Sequence, residues 1–345
     1  MRLRLAIAGL VALAANAALA DTPVPPPVAA VVEGRLPIGN AVLPVFVSQD
    51  WSQPLPGIHR VVVVIHGYER NAADYARNMM ALGSPADTLV VAPQFLAPED
   101  IAAHNLPDDV LRWPREDWSG GYPAMGPSSL SSFDALDAVL TKLANRTILP
   151  NLATVVIAGF SAGGQVLQRY AIVGRGEAAF GATPIHLRYV VGSPSSYAYF
   201  TDDRPRPDGS IGPFAAAGCP DFNHWKYGFA ANLPPYAAAA AALGVSGLAR
   251  RYAARDVAYL VGSNDTDPNH RFLDKSCAGE AQGPNRLARM QFFFAELKLS
   301  EGGTLKHWMS VIDGAAHNEA RVLGSPCGRA ALFGDANCPD QQETK

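Results

Sequence analysis

The sequence predicts an α/β fold with a mainly parallel central sheet flanked by helices. Three observations predict it. The run "VVVVI" at residues 61–65 has no polar position, which suits a strand buried on both faces of a parallel sheet. Further strand-like runs recur along the chain: "TLVVAPQF", "TVVIAGF", "LRYVVGSP", "VAYLVGSND" and "HWMSVIDG". Between many of them lie helical stretches, "NAADYARNMMALG", "SSFDALDAVLTKLAN", "AGGQVLQRYAIV" and "RLARMQFFFAELKL". Strands that alternate with helices call for parallel crossovers.

The elements follow in order. Arg2 and Arg4 precede the apolar stretch "LAIAGLVALAANAALA", which closes on Ala18-Leu19-Ala20. This is the pattern of a secretory signal peptide over residues 1–20, cut after Ala20. Its apolar run is short and Ala-rich against the roughly 20 strongly apolar residues that a membrane span needs, so no stable membrane anchor is expected. Residues 21–40, rich in Pro, Val and Ala, read as an N-terminal tail, and residues 41–345 as one domain. Its first strand is expected near Val42–Ser48. Asn71 would cap the first helix and Gly83 would stop it. A long loop from Leu96 to Ser129 carries Trp113, Trp118 and Tyr122, and serine opens the helix after it. The alternation breaks at about 193–255, rich in Pro, Gly, Tyr and Ala, with an Ala-rich helix expected near Tyr236–Leu243. This reads as a lid-like insertion before the acid-bearing strand, over the sheet edge where α/β folds bind ligands. The alternative is a surface excursion without a catalytic part. Tyr197, Tyr199, Phe200, Trp225 and Tyr227 would then pack the excursion instead of lining an acyl or aryl pocket.

With 345 residues, 48% of them hydrophobic, the chain can bury a substantial core. Its formal net charge of -3 offers no global basic field for nucleic acid. Four cysteines behind an export signal predict disulfides. Of the three pairings, Cys219–Cys277 with Cys327–Cys338 is favoured, because the second pair closes a short C-terminal loop. No Cys-x-x-Cys spacing suggests zinc. Asp265-x-Asp267-x-Asn269 mimics the start of a calcium loop, but His270 and Ser276 stand where that loop needs Gly and Glu. Neither metal nor cofactor is expected.

The chemistry centres on "AGFSAGGQ", which follows a predicted strand and leads into a predicted helix. Gly159, Ser161 and Gly163 give Gly-x-Ser-x-Gly. Ser161 is either a helix cap or a nucleophile on a strained elbow. A serine nucleophile needs a base, an orienting acid and oxyanion donors. His317 supplies the base, just past the last predicted strand. Asp265 supplies the acid at the end of the strand "VAYLVG", with Asp267 as its rival. The backbone N–H of Ala162 and that of Tyr68, after the His66-Gly67 turn, supply the oxyanion donors.

From about Val42 to Leu323 the chain resembles the α/β-hydrolase superfamily. The resemblance rests on the His66-Gly67-Tyr68 turn, the elbow at 159–163, the Gly262-to-Asp265 loop and His317, in the order Ser, Asp, His. It implies an exported serine hydrolase, secreted or periplasmic, that cleaves a small-molecule or polymeric carboxylic ester through an acyl-enzyme. It departs from esterases with His-Gly-Gly-Gly, since Tyr68 follows Gly67. A secreted serine peptidase with the same triad is the alternative of the same class, and a non-catalytic binding protein on this scaffold is the alternative of another. Oligomeric state stays open.

Overall fold

The structure, a computed structural model, describes residues 26–181, 183–301, 305–334, 337–339 and 342–343. The expected signal peptide and its cleavage point lie outside the described residues.

The strands are β1 (Gly34–Ile38), β2 (Ala41–Val47), β3 (Arg60–Ile65), β4 (Thr88–Pro93), β5 (Thr154–Phe160), β6 (His186–Gly192), β7 (Asp203–Pro205), β8 (Ile211–Pro213), β9 (Asp256–Gly262), β10 (His307–Ile312) and β11 (Gln342–Glu343). Nine of them form one sheet in the order β1-β2-β4-β3-β5-β6-β9-β10-β11. From β4 to β10 every pair is parallel, while β1–β2, β2–β4 and β10–β11 are antiparallel. The remaining two, β7 and β8, form a separate hairpin.

The helices are α1 (Ala72–Ala81), α2 (Pro98–Ala103), α3 (Ser132–Leu143), α4 (Ala162–Val173), α5 (Ala238–Ala241), α6 (Gly244–Ala253), α7 (Cys277–Glu280), α8 (Arg286–Glu301), α9 (Glu319–Leu323) and α10 (Pro326–Phe333). The unbroken "VVVVI" run is explained by layers on both sides of the sheet. Val61, Val63 and Ile65 join a core with Leu136 of α3, Leu167 of α4, Leu248 of α6 and Phe293 of α8. Val62 and Val64 face the other way, against Met79 of α1, Leu323 of α9 and Leu332 of α10. Each residue from Val61 to Ile65 is therefore apolar, because alternation points successive side chains into two different cores.

The reading of residues 21–40 as a tail is corrected at its C-terminal end. Gly34–Ile38 is β1, paired with β2 through a two-residue loop, Gly39-Asn40. Gly39 takes φ 63°, which glycine adopts without a Cβ clash. Leu36 is buried in the core. Upstream, Val28 N–H donates to Asp100 Oδ1 and Val32 N–H to Gln94 Oε1, so this stretch is docked as well.

Between β6 and β9 the chain makes the hairpin β7–β8, short turns and α5, and only then α6. The Ala-rich helix expected at Tyr236–Leu243 is a 3-10 turn, Pro235–Ala237, that runs into α5. α6 packs Leu248 and Tyr252 onto the sheet, as a crossover helix between two neighbouring parallel strands must.

Candidate active site

The small residues of the elbow are required by how closely α4 approaches the sheet. A Cβ on Gly159 would lie 2.3 Å from the Gly163 carbonyl oxygen. One on Gly163 would lie 2.3 Å from that of Ile65, and one on Gly164 2.5 Å from that of Gly192. The start of α4 is thus wedged against the ends of β3 and β6, with no space for side chains.

Ser161 sits between β5 and α4 with φ 58° and ψ -118°. Non-glycine residues held in such regions cost about 1–3 kcal/mol and persist only where the surroundings impose them. Here the imposed contacts are its N–H, which donates to the Gly192 carbonyl at 2.9 Å, and its carbonyl, which accepts from Gln165 N–H at 3.1 Å. Its side chain makes no capping bond. Ser161 therefore does not cap α4 through its side chain.

At the ends of β9 and β10 two loops meet. A Cβ on Gly262 would lie 2.2 Å from the Ala315 carbonyl oxygen, and Asn264 N–H donates to that oxygen at 2.8 Å. This crossing brings His317 onto Asp265, and Nδ1 of the imidazole donates to Asp265 Oδ2 at 2.7 Å. The bond fixes the tautomer and leaves Nε2 as the acceptor nitrogen. Asp265 is buried, and the His317 ring lies 4.8 Å from that of Phe160, the neighbour of Ser161. Burial pushes the His317 pKa down; the bond to Asp265 opposes this and the Arg286 charge adds to it, and the net direction is downward. Asp267 is exposed, with Oδ1 accepting from Asn269 N–H at 2.8 Å in a local turn.

On the other side of the elbow, a Cβ on Gly67 would lie 3.8 Å from Ser161 Cβ, so the turn carrying Tyr68 adjoins the serine. His66 anchors that turn. Its Nδ1–H donates to the Gly67 carbonyl at 2.9 Å and its Nε2 accepts from Phe95 N–H at 2.9 Å. Complete burial pushes the His66 pKa down to about 4, so this imidazole is neutral and structural. Tyr68 is buried, its ring 4.9 Å from that of Phe272. Ala162, the first residue of α4, is buried as well.

No protein-family model matches the chain, and no curated protein matches it either. Among solved structures, a poly(3-hydroxybutyrate) depolymerase from Bordetella parapertussis is similar, with a TM-score of 0.57 over 87% of each chain at 21% identity. Poly(aspartic acid) hydrolase-1 from Sphingomonas sp. KT-1 is similar with a TM-score of 0.58, over 86% of this chain and 96% of that one, at 19% identity. The chain has the α/β-hydrolase fold. In that fold the elbow, the acid loop and the histidine loop all lie at the C-terminal ends of parallel strands, as they do here.

Sequence reasoning missed two groups at this site. The His270 ring meets that of His317 edge-on at 4.9 Å, and its Nδ1 accepts from Phe272 N–H at 3.2 Å. Its position five residues past Asp265 was the available signal. Arg286 lies 3.8 Å from Asp265 Oδ1, both side chains buried. At the start of an amphipathic helix it reads as a solvated charge, and nothing local marks it.

The excursion aromatics are engaged in packing. Tyr197 stacks on Phe293 of α8 at 4.5 Å, Tyr199 meets the same ring edge-on at 5.0 Å, and Phe200 stacks on Phe229 at 5.4 Å. Trp225 Nε1 donates to the Gly120 carbonyl at 2.7 Å, and Tyr227 Oη to Asp274 Oδ2 at 2.7 Å. Cys219 pairs with Cys277, and Cys327 with Cys338, the favoured pairing. The first bond ties the excursion to the segment that follows the acid loop. Among the described residues no three His, Cys, Asp or Glu side chains are grouped as a metal site.

Proposed function

We propose that this chain is an exported serine hydrolase that cleaves carboxylic esters through an acyl-enzyme. Ser161 is the nucleophile. Its Oγ attacks the ester carbonyl while His317 Nε2 takes its proton. Asp265 holds the imidazole in the tautomer that can accept that proton and stabilises the imidazolium that forms. The oxyanion is met by the N–H groups of Tyr68 and Ala162, the latter at the positive end of α4. The alcohol leaves with the proton from His317, and a water activated by the same nitrogen clears the acyl group. The steps use side chains and backbone alone.

One observation carries this reading. Ser161 is held at φ 58° with its side chain making no capping bond, while the ring of its neighbour Phe160 lies 4.8 Å from the imidazole of His317, whose Nδ1 is 2.7 Å from Asp265 Oδ2. The predicted leader and the two disulfides support a secreted or periplasmic site of action. No described helix is long and apolar enough to cross a membrane.

The name of one structural neighbour carries a polyester and that of the other a polyamide. The test therefore sets paired substrates side by side: p-nitrophenyl esters against p-nitroanilides, and poly(3-hydroxybutyrate) against poly(aspartic acid). The ester reading predicts turnover of the ester of each pair in preference to the amide. Faster cleavage of the amides would replace it with the peptidase alternative. Absence of both activities in folded protein would favour a binding scaffold.

A further inference from the structure

We infer that Arg286 is a positioning residue of this site, acting through the Asp265 carboxylate and on the charge state of His317. The inference rests on the reading of Ser161, His317 and Asp265 given above.

The geometry is that of a carboxylate held from two sides. Oδ2 of Asp265 accepts from His317 at 2.7 Å, and Oδ1 faces Arg286 Nη1 at 3.8 Å. The side chains of Arg286 and Asp265 are 1% and 4% exposed, so water does not screen them from each other. Arg286 is placed by its own backbone: it opens α8, and the next residue, Leu287, donates its N–H to the Asp265 carbonyl at 3.2 Å. Its Nη2 donates to the Phe272 carbonyl at 2.8 Å, which pins the segment carrying His270 and Phe272. Nε and Nη1 have no hydrogen-bond partner among the described residues. Two donor nitrogens of a buried guanidinium are thus left unspent, and one of them, Nη1, faces the oxygen of the acid that the imidazole does not use. Leaving buried donors unpaired is costly, so a role in the site explains what packing alone does not.

The consequence is a division of labour. Contact with Arg286 sets the rotation of the carboxylate, so that Oδ2 points at Nδ1. Its positive charge also opposes a proton on His317 in the resting enzyme, keeping the imidazole in its base form at lower pH.

The other groups around the pair do not supply this charge. His270 is neutral over the working range, since burial pushes its pKa down to about 4. Phe160 is apolar. The hydroxyl of Tyr197 stays protonated, its pKa raised by burial. Arg289, the other cation on this face of α8, is committed to the carbonyls of Gly283, Ser195 and Asp274. Asp267 is exposed and engaged in its local turn. Glu319, two residues past His317, does titrate in the neutral range, with a pKa raised by burial to about 7, but it is common to every variant compared below.

The test is the pH dependence of kcat/KM for a small chromogenic ester, with active enzyme counted by fluorophosphonate titration. Arg286→Met should lower kcat by about tenfold or more and move the acid limb up by about half a pH unit or more, as loss of a nearby charge does. KM should change little. Arg286→Lys, which keeps the charge but loses the fork, should return the acid limb to its wild-type position while kcat stays reduced. A structural role alone predicts lower thermal stability with an unmoved limb, and that result overturns the inference; so does a Lys variant whose limb follows the Met variant. A measurement on the intact chain guards against misfolded variants. Between 0.1 and 1 M salt, concentrations that screen exposed charges over about 10 Å down to about 3 Å, a buried charge leaves the limb in place. A salt-driven shift of the limb would contradict Arg286 as its source. Loss of the Ser161 requirement would remove the underlying reading, whereas an unmoved limb with that requirement intact removes this inference alone.

Discussion

Replacing Asp265 by Asn keeps the shape of the acid and removes its charge. The carboxylate is 4% exposed, accepts the His317 Nδ1 proton at 2.7 Å and faces Arg286 at 3.8 Å. In the Asn variant the amide NH2 can itself donate to Nδ1, which moves the ring proton to Nε2. An imidazole in that tautomer cannot take the Ser161 proton. Loss of the orienting acid typically lowers turnover by roughly ten-thousand-fold, equivalent to about 5 kcal/mol of transition-state stabilisation. The same change also leaves Arg286 buried without a counter-charge, so a loss of thermal stability should accompany it. Asp267→Asn gives the contrast. That side chain is exposed and accepts one N–H in a turn, which an Asn oxygen can still accept, so the cost should be at most about 1 kcal/mol of stability. The assay is ester turnover per titrated active site, with thermal unfolding measured in parallel. A ten-thousand-fold loss at Asp267 with near-normal turnover of Asp265→Asn would refute the assignment of the acid.

Gly163→Ala should prevent folding or cost about 3 kcal/mol or more, because its Cβ would meet backbone oxygens of Ile65 and His66 at 2.3 and 2.6 Å; native-like yield and melting temperature would contradict the wedged elbow. Glu319 is buried with its pKa raised by burial to about 7, so its contribution is fully present below pH 4.5 and is lost as pH rises through 7. Glu319→Gln, which can still accept from Asn78, should therefore stabilise the protein at pH 8 by on the order of 3 kcal/mol and leave it unchanged at pH 4. Buried His66 and His307 have the opposite sign: burial pushes both to about 4, so their contribution is fully present above pH 6.5 and is lost as pH falls through 4, by about 3 kcal/mol each. Cys219–Cys277 spans 58 residues and Cys327–Cys338 spans 11, so removing the first should cost more stability, about 4 against about 3 kcal/mol on a loop-entropy model. Pairwise Cys→Ser variants compared by denaturant unfolding would reverse that order if strain dominates.

Legibility followed from whether a feature is written locally. The central strands were readable because burial on both faces removes polar positions, as in Val61–Ile65. The elbow was readable because crowding against β3 and β6 imposes glycine at fixed places. Asp265 and His317 were readable as residues just past strand ends, and the loop crossing at Gly262 brings them together. β1 was not readable from periodicity: it is five residues long, includes Pro37, and buries only Leu36 fully. Its hairpin loop, Gly39-Asn40, was the stronger signal. Arg286 was invisible because its burial comes from docking α8 on the acid loop, a tertiary fact. Tyr197 and Tyr199 could not be divided between pocket and packing, since both uses select the same apolar rings; only the position of Phe293 decides it.

The most direct test of the account is where a fluorophosphonate lands. The folded protein should take up one phosphonyl group, mapped by mass spectrometry to the peptide containing Ser161, and lose ester turnover in step with labelling. Ser161→Ala should keep the fold, take no label and lose turnover by on the order of a million-fold. A label on another residue, or near-normal turnover by folded Ser161→Ala, would contradict the claim that the strained elbow presents the nucleophile.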